Sequence, residues 1–70
     1  MCNIKNFYFN GQEYCTNHVI TLSNLLTYFD YHSQFFIIEY NDFICNRYEW
    51  NKITIKKNDK IEIITIVGGG

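Results

Sequence analysis

The dipeptide Asn10-Gly11 directly follows a short segment in which Phe7 and Phe9 recur at period two. Both residue types tolerate positive φ, so Asn-Gly supports the tight turn whose twist matches two antiparallel strands. Before it, residues 4 to 9 read Ile-Lys-Asn-Phe-Tyr-Phe. Period-two alternation places Phe7 and Phe9 on one face. Residues 12 to 15 form the returning strand. The chain therefore begins as a β-hairpin with one apolar face to cover.

The period then changes. Leu22, Leu25, Leu26 and Phe29 are spaced i, i+3, i+4 and i+7, which is one apolar stripe of a helix. The spacing predicts a helix from Leu22 to Phe29, with Thr21 as N-cap. Asn24 stands where the Glu of a capping box would sit, so no box is expected. Asp30 to Ser33 should end the helix.

Residues 35 to 40, Phe-Phe-Ile-Ile-Glu-Tyr, are the most continuous apolar run. They read as a central strand buried on both faces. Asn41-Asp42 supplies a turn, and Phe43 to Cys45 a short strand. Residues 46 to 52 are irregular and carry Trp50, expected to plug the core. Ile53 to Ile55 should pair briefly. Asn58-Asp59 makes the last turn, and Lys60 to Val67 the last strand, with Ile61 and Ile63 on one face. One helix covers one face of a sheet, so the class is α+β. A four- to five-stranded mixed sheet is expected, with its first and last strands adjacent and parallel. That arrangement is the β-grasp.

The chain of 70 residues is one domain's worth, and its formal net charge of -1 argues against a nucleic-acid binder. Lys56, Lys57 and Lys60 form the one basic cluster and read as solvated surface around a turn. Cys2, Cys15 and Cys45 are odd in number and make no CxxC pair, so neither a zinc site nor a disulfide framework is indicated. They read as structural thiols in a reducing compartment. No signal peptide is evident, and no apolar run approaches the ~20 residues of a spanning helix. Abundant Asn, Ile, Lys, Phe and Tyr correspond to AT-rich codons, as in an organelle or a low-GC bacterium. The expected location is the cytoplasm, or the plastid stroma if the gene is organellar.

The sequence closes on Gly68-Gly69-Gly70 directly after the last strand. Glycine has no side chain to pack and is entropically unfavourable in a fixed structure. A glycine tail does let backbone enter a narrow active site, because no Cβ blocks the approach. The terminal carboxylate is ionised at neutral pH and is a poor electrophile. Adenylation by ATP would activate it, and a sulfur nucleophile could then displace AMP to leave a thiocarboxylate. The chain has no phosphate-cradling glycine loop of its own for such a step. A frayed end is the alternative reading of the glycines.

Several short motifs occur in a definite order. They are Phe9-Asn10-Gly11-Gln12, Thr21-Leu22-x-x-Leu25-Leu26, Asn41, Arg47-x-x-Trp50, Asp59-x-Ile61-Glu62-Ile63 and the glycine terminus. In order, spacing and total length they resemble the ThiS family of sulfur carriers for thiazole biosynthesis. The resemblance implies a ubiquitin-like β-grasp over residues 1–67 and a flexible tail over 68–70. It implies that Gly70 is adenylated and converted to the thiocarboxylate, with Gly69 and Gly68 threading into the partner enzymes. The implied partners are a ThiF-like adenylating enzyme, a ThiG-like thiazole synthase and a sulfur donor such as a cysteine desulfurase. No bound cofactor is implied, since the adenylating enzyme uses the ATP. The chain would be a protein co-substrate rather than an enzyme. Two departures stand out: Cys45-Asn46 replaces the family's usual Val-Pro, and Lys57-Asn58-Asp59 replaces Asp-Gly-Asp.

Related readings stay open at this stage. The small subunit of molybdopterin synthase shares the fold and the Gly-Gly end, though it is usually longer. A carrier for transfer-RNA thiolation, a ubiquitin-like modifier and a plain protein-interaction module are the others. Ile64 and Ile66 fall on the face opposite Ile61 and Ile63, where the helix cannot cover them. They are candidate partner-binding residues, with Phe35 or Ile37 contributing. His18 and His32 lack ligand-spaced partners. Glu39, Glu49 and Glu62 form no evident acid/base pair. Arg47 suits either a carboxylate or a partner. Cys15 and Cys45 are expected to pack rather than react.

Overall fold

The computed structural model describes residues 4–31 and 36–65. The elements are β1 (Lys5–Phe9), β2 (Gln12–Thr16), α1 (Leu22–Tyr28), β3 (Phe36–Tyr40), β4 (Phe43–Cys45) and β5 (Lys60–Thr65), with a 3-10 turn at Arg47–Glu49. The strands form one sheet in the order β2-β1-β5-β3-β4. β1 and β5 run parallel, and the other neighbours are antiparallel. This is the expected five-stranded mixed sheet with one helix.

Both short hairpins rest on asparagine turns. Asn10 and Gly11 have φ of 53° and 80°, and Asn41 and Asp42 have φ of 50° and 72°. Two successive positive φ values define the turn that suits a twisted hairpin. Asn58, at φ 69°, takes the same conformation before β5.

The helix carries a capping box, contrary to the sequence expectation. The Asn24 amide donates to the Thr21 hydroxyl at 3.1 Å, and the Asn24 side-chain carbonyl accepts from the Thr21 amide at 3.0 Å. Asn is shorter than Glu, but its carbonyl is the same kind of acceptor and reaches the cap. The remaining free amides are met from further along the chain. Leu22 donates to the Ile53 carbonyl and Ser23 to the Trp50 carbonyl, at 3.0 and 3.1 Å. All four N–H groups that a helix start leaves open are thus satisfied. α1 ends one residue earlier than expected, with Phe29 as its C-cap. Asp30 takes φ 62°. Its amide bonds Thr27, and the Tyr31 amide bonds back to Leu26. That paired closure is a Schellman motif with Asp in the usual glycine place.

The core lies between α1 and one face of the sheet. Leu22, Leu25 and Leu26 meet Phe7, Phe9, Ile38 and Ile61, all buried. Phe29 is half-buried and stacks on Phe9 at 4.7 Å. Trp50 is buried as expected, stacked parallel to Phe36 at 5.5 Å. The Arg47 guanidinium covers the Trp50 ring at 4.8 Å. Ile53 to Ile55 pair briefly as read: an isolated bridge joins Thr21 to Thr54, and Ile55 donates to the Ile20 carbonyl at 2.9 Å.

β3 is an interior strand, as expected of the segment 35–40, but it is not buried on both faces. β5 holds the centre, and β3 lies between it and β4. Phe36 and Ile38 are buried, but Ile37 and Glu39 are only half-buried, because the one helix leaves the far face open. Cys45 is buried, whereas Cys15 is exposed rather than packed. Cys2, His32, Phe35 and the last two residues of the expected strand, Ile66 and Val67, lie outside the described residues.

Candidate functional site: the open sheet face and the approach to the tail

β5 points the chain toward its glycines. Its Cα register on β3 pairs Ile37 with Ile64, Ile38 with Ile63 and Glu39 with Glu62. Alternation sends Ile61, fully buried, and half-buried Ile63 toward α1, and Ile64 to the far side. Ile64 is 40% exposed. It forms an apolar pair with Ile37 at the end of β5 that leads to the tail. Ile44 on β4 and Tyr8 on β1 add exposed apolar surface to the same face. Of the sequence-predicted site residues, Ile64 takes its expected place. Ile66, Gly68, Gly69 and Gly70 lie outside the described residues.

Charge on this face is arranged less obviously. Glu39 and Glu62 stand directly opposite each other, and Ile44 flanks Glu39 on its other side. No glutamate pair is evident in the sequence, because only strand register brings these two together. The neighbouring Lys60 ammonium bonds Asp42 at 3.0 Å. That bond, then the charges of Asp42, Glu62 and Glu39, raise the Lys60 pKa above its usual value.

Side chains also tie β5 to the turns on either side of it. The Asn10 amide donates to the Ile61 carbonyl at 2.9 Å, and its side-chain carbonyl accepts from the Ile63 amide at 2.8 Å. Asn10 thereby extends the β1–β5 ladder past the turn that it also makes. On the other side Asn41 accepts from the Lys60 amide at 2.8 Å and donates to Asp59 at 3.1 Å. Asp59 is buried and also accepts from the Lys56 amide at 2.7 Å. Turn propensity identified these residues in the sequence; their side-chain bonds it did not show.

Other features stand apart from this face. A cavity of about 350 Å³ opens between α1 and the first hairpin, lined by Phe7, Tyr14, Ile20, Leu25, Tyr28 and Phe29. The Cys45 thiol is pushed up in pKa by burial and then by Glu49, which disfavours the thiolate. Among the described residues no group of His, Cys, Asp and Glu is placed to hold a metal, and no helix is long and apolar enough to cross a membrane.

Comparison with known proteins agrees with this architecture. The family model described as the ThiS family matches residues 7–70. The ycf40 protein of Trieres chinensis is 59% identical over 66 residues, covering 94% of this chain and 90% of its own. The ycf40 protein of Porphyra purpurea is 38% identical over 61 residues, covering 87% and 86%. The crystal structure of the thiamine biosynthesis protein ThiS from Geobacter metallireducens superimposes with a TM-score of 0.79 at 22% identity, over 93% of this chain and 99% of that one. The fold is thus the ubiquitin-like β-grasp, and the chain belongs to the ThiS family.

Proposed function

We propose that this protein is a sulfur carrier whose working group is the carboxylate of Gly70. The observation that carries the reading is the ThiS family match, which runs from the first hairpin through residue 70. Residues 1–67 form the domain, and Gly68, Gly69 and Gly70 form the segment that enters partner enzymes. A carboxylate oxygen attacks the α-phosphorus of ATP, and pyrophosphate leaves. The terminal sulfur of a persulfide on a donor such as a cysteine desulfurase then attacks the acyl carbon, and AMP leaves. A thiol reductant cleaves the resulting acyl disulfide, taking the donor's sulfur into a new disulfide. The product is a thiocarboxylate, which delivers its sulfur to thiazole synthase on the route to thiamine. A ThiF-like adenylating enzyme supplies the catalytic groups for charging, and this chain serves as its co-substrate.

Docking falls to the open sheet face. Ile64, with Ile66 beyond it, forms the partner-binding surface from which the tail is presented. The likeness to proteins called ycf40, a gene of plastid genomes, supports the plastid stroma as the location.

Intact-mass analysis tests the charging step. The protein is incubated with ATP, Mg²⁺, the adenylating enzyme of the same organism and a sulfur donor. The expected gain equals sulfur minus oxygen, localised to Gly70 by fragmentation. Deleting Gly70 withdraws the carboxylate by about 3.3–3.6 Å along an extended chain and should abolish the gain. Gly69→Ala should slow it by adding a Cβ. An unmodified full-length protein, beside a carrier converted by its own enzyme, would sink the reading. Supplying the charged protein to thiazole synthase and measuring thiazole phosphate then tests the pathway.

A further inference from the structure

We propose that the open sheet face accepts a partner surface in which an arginine or lysine, set among apolar side chains, inserts between Glu39 and Glu62. The inference rests on the carrier reading and adds to it the chemistry of the adenylating partner's contact surface.

Three observations converge. The first is the cross-strand pairing itself: Glu39 and Glu62 are directly opposed and half-buried. Like charges in that position destabilise a sheet. The second is the surroundings. The pair is bordered by Ile37 and Ile64 toward the tail and by Ile44 on β4. A partner that covers these apolar groups also excludes water from the carboxylates. Two desolvated carboxylates then need a cation, and a guanidinium satisfies both with its forked donors. The third is a neighbouring cation on the same strand as Glu62. Lys60 is held by Asp42 at 3.0 Å. Its charge acts on Glu39 and Glu62 from beside them, and it leaves this part of the face with a negative balance.

Charge complementarity also decides among occupants. A second copy docked about a two-fold axis through this part of the face would set the glutamate pair against its own image. A nucleic acid would bring phosphates to the same carboxylates. A protein surface of mixed apolar and cationic character meets neither conflict.

The test uses the full-length protein and purified adenylating enzyme, with initial charging rates followed by intact mass. Glu39→Lys and Glu62→Lys are compared with wild type and with the neutral Glu39→Gln and Glu62→Gln. Circular dichroism checks that each variant is folded, and the Gln pair serves if a reversal fails to fold. Each reversal should raise KM by about tenfold or more with little change in kcat, because docking is affected and the reacting carboxylate is not. The Gln variants should fall between. Wild-type KM should rise with added salt and the variants' KM should rise less. Normal charging of every folded variant at wild-type KM would overturn the proposal while leaving the carrier reading intact. No charging of wild type would remove both. Self-association of the wild-type chain that Glu62→Lys abolishes, seen by sedimentation, would also overturn it.

Discussion

The Tyr40 hydroxyl donates a hydrogen bond to Oδ2 of Asp59 at 2.5 Å, nineteen residues further along the chain. The same carboxylate accepts from the Lys56 amide and the Asn41 side chain. One buried aspartate therefore joins the end of β3, the turn after it and the turn that launches β5. It sets where the last strand begins, and so which of its isoleucines face the core.

Asp59→Ala should destabilise the domain by about 3 kcal/mol, the upper end for hydrogen bonds to a charged group. Tyr40→Phe should destabilise less and should change the alkaline limb of the stability curve. Burial, then the hydrogen bond to Asp59 and its charge, raise the Tyr40 pKa above the ordinary tyrosine value of 10.0. The unfolded chain loses this proton near that value, whereas the folded chain keeps it. The stabilisation from this group is complete below that value and declines as the pH rises above it. Urea denaturation of both proteins from about pH 8 to about pH 11 should show a steeper decline for wild type than for Tyr40→Phe. Parallel curves would show that the bond is absent in solution.

Leu25 is 3% exposed and sits at the centre of the helix stripe. Leu25→Ala should cost roughly 2–5 kcal/mol through lost transfer energy and the cavity left behind. Chemical denaturation measures it directly, and a negligible loss would remove Leu25 from the core.

The first turn of α1 contains no acidic residue. Asn24→Glu keeps a side-chain acceptor for the Thr21 amide and adds a negative charge near the helix N-terminus. It should stabilise the domain by about 0.3–1 kcal/mol at low ionic strength, with part of the gain lost in high salt. A lower melting temperature in the variant would show that the shorter Asn side chain fits this cap better.

Ile64→Asp should leave the fold intact, because the side chain lies on the open face. It should weaken association with both the adenylating enzyme and thiazole synthase in calorimetric titrations. Unchanged affinity for both would remove Ile64 from the docking surface.

Local chemistry made much of this protein legible in the sequence. Asn10-Gly11 and Asn41-Asp42 marked turns because few other residues accept positive φ. The Leu22, Leu25, Leu26 and Phe29 spacing marked a helix, and the motif order marked the family. These signals lie within a few residues of one another, so sequence alone carries them. β3 lies inside the sheet as its apolar run implies, but its far face is only half-buried, since an apolar run does not report what covers each face. The capping role of Asn24 lies outside the usual Glu or Gln pattern of the box, because the shorter amide reaches the cap as well. Glu39 and Glu62 became a pair only through the β3–β5 register, and that register depends on side chains distant in sequence. Asn41 and Asp59 hold the start of β5 in place, and Asn10 ties its middle to β1. Sequence specified the elements and their family; tertiary structure decided which residues share the open face, because hydrogen bonds between segments far apart in the chain set the register.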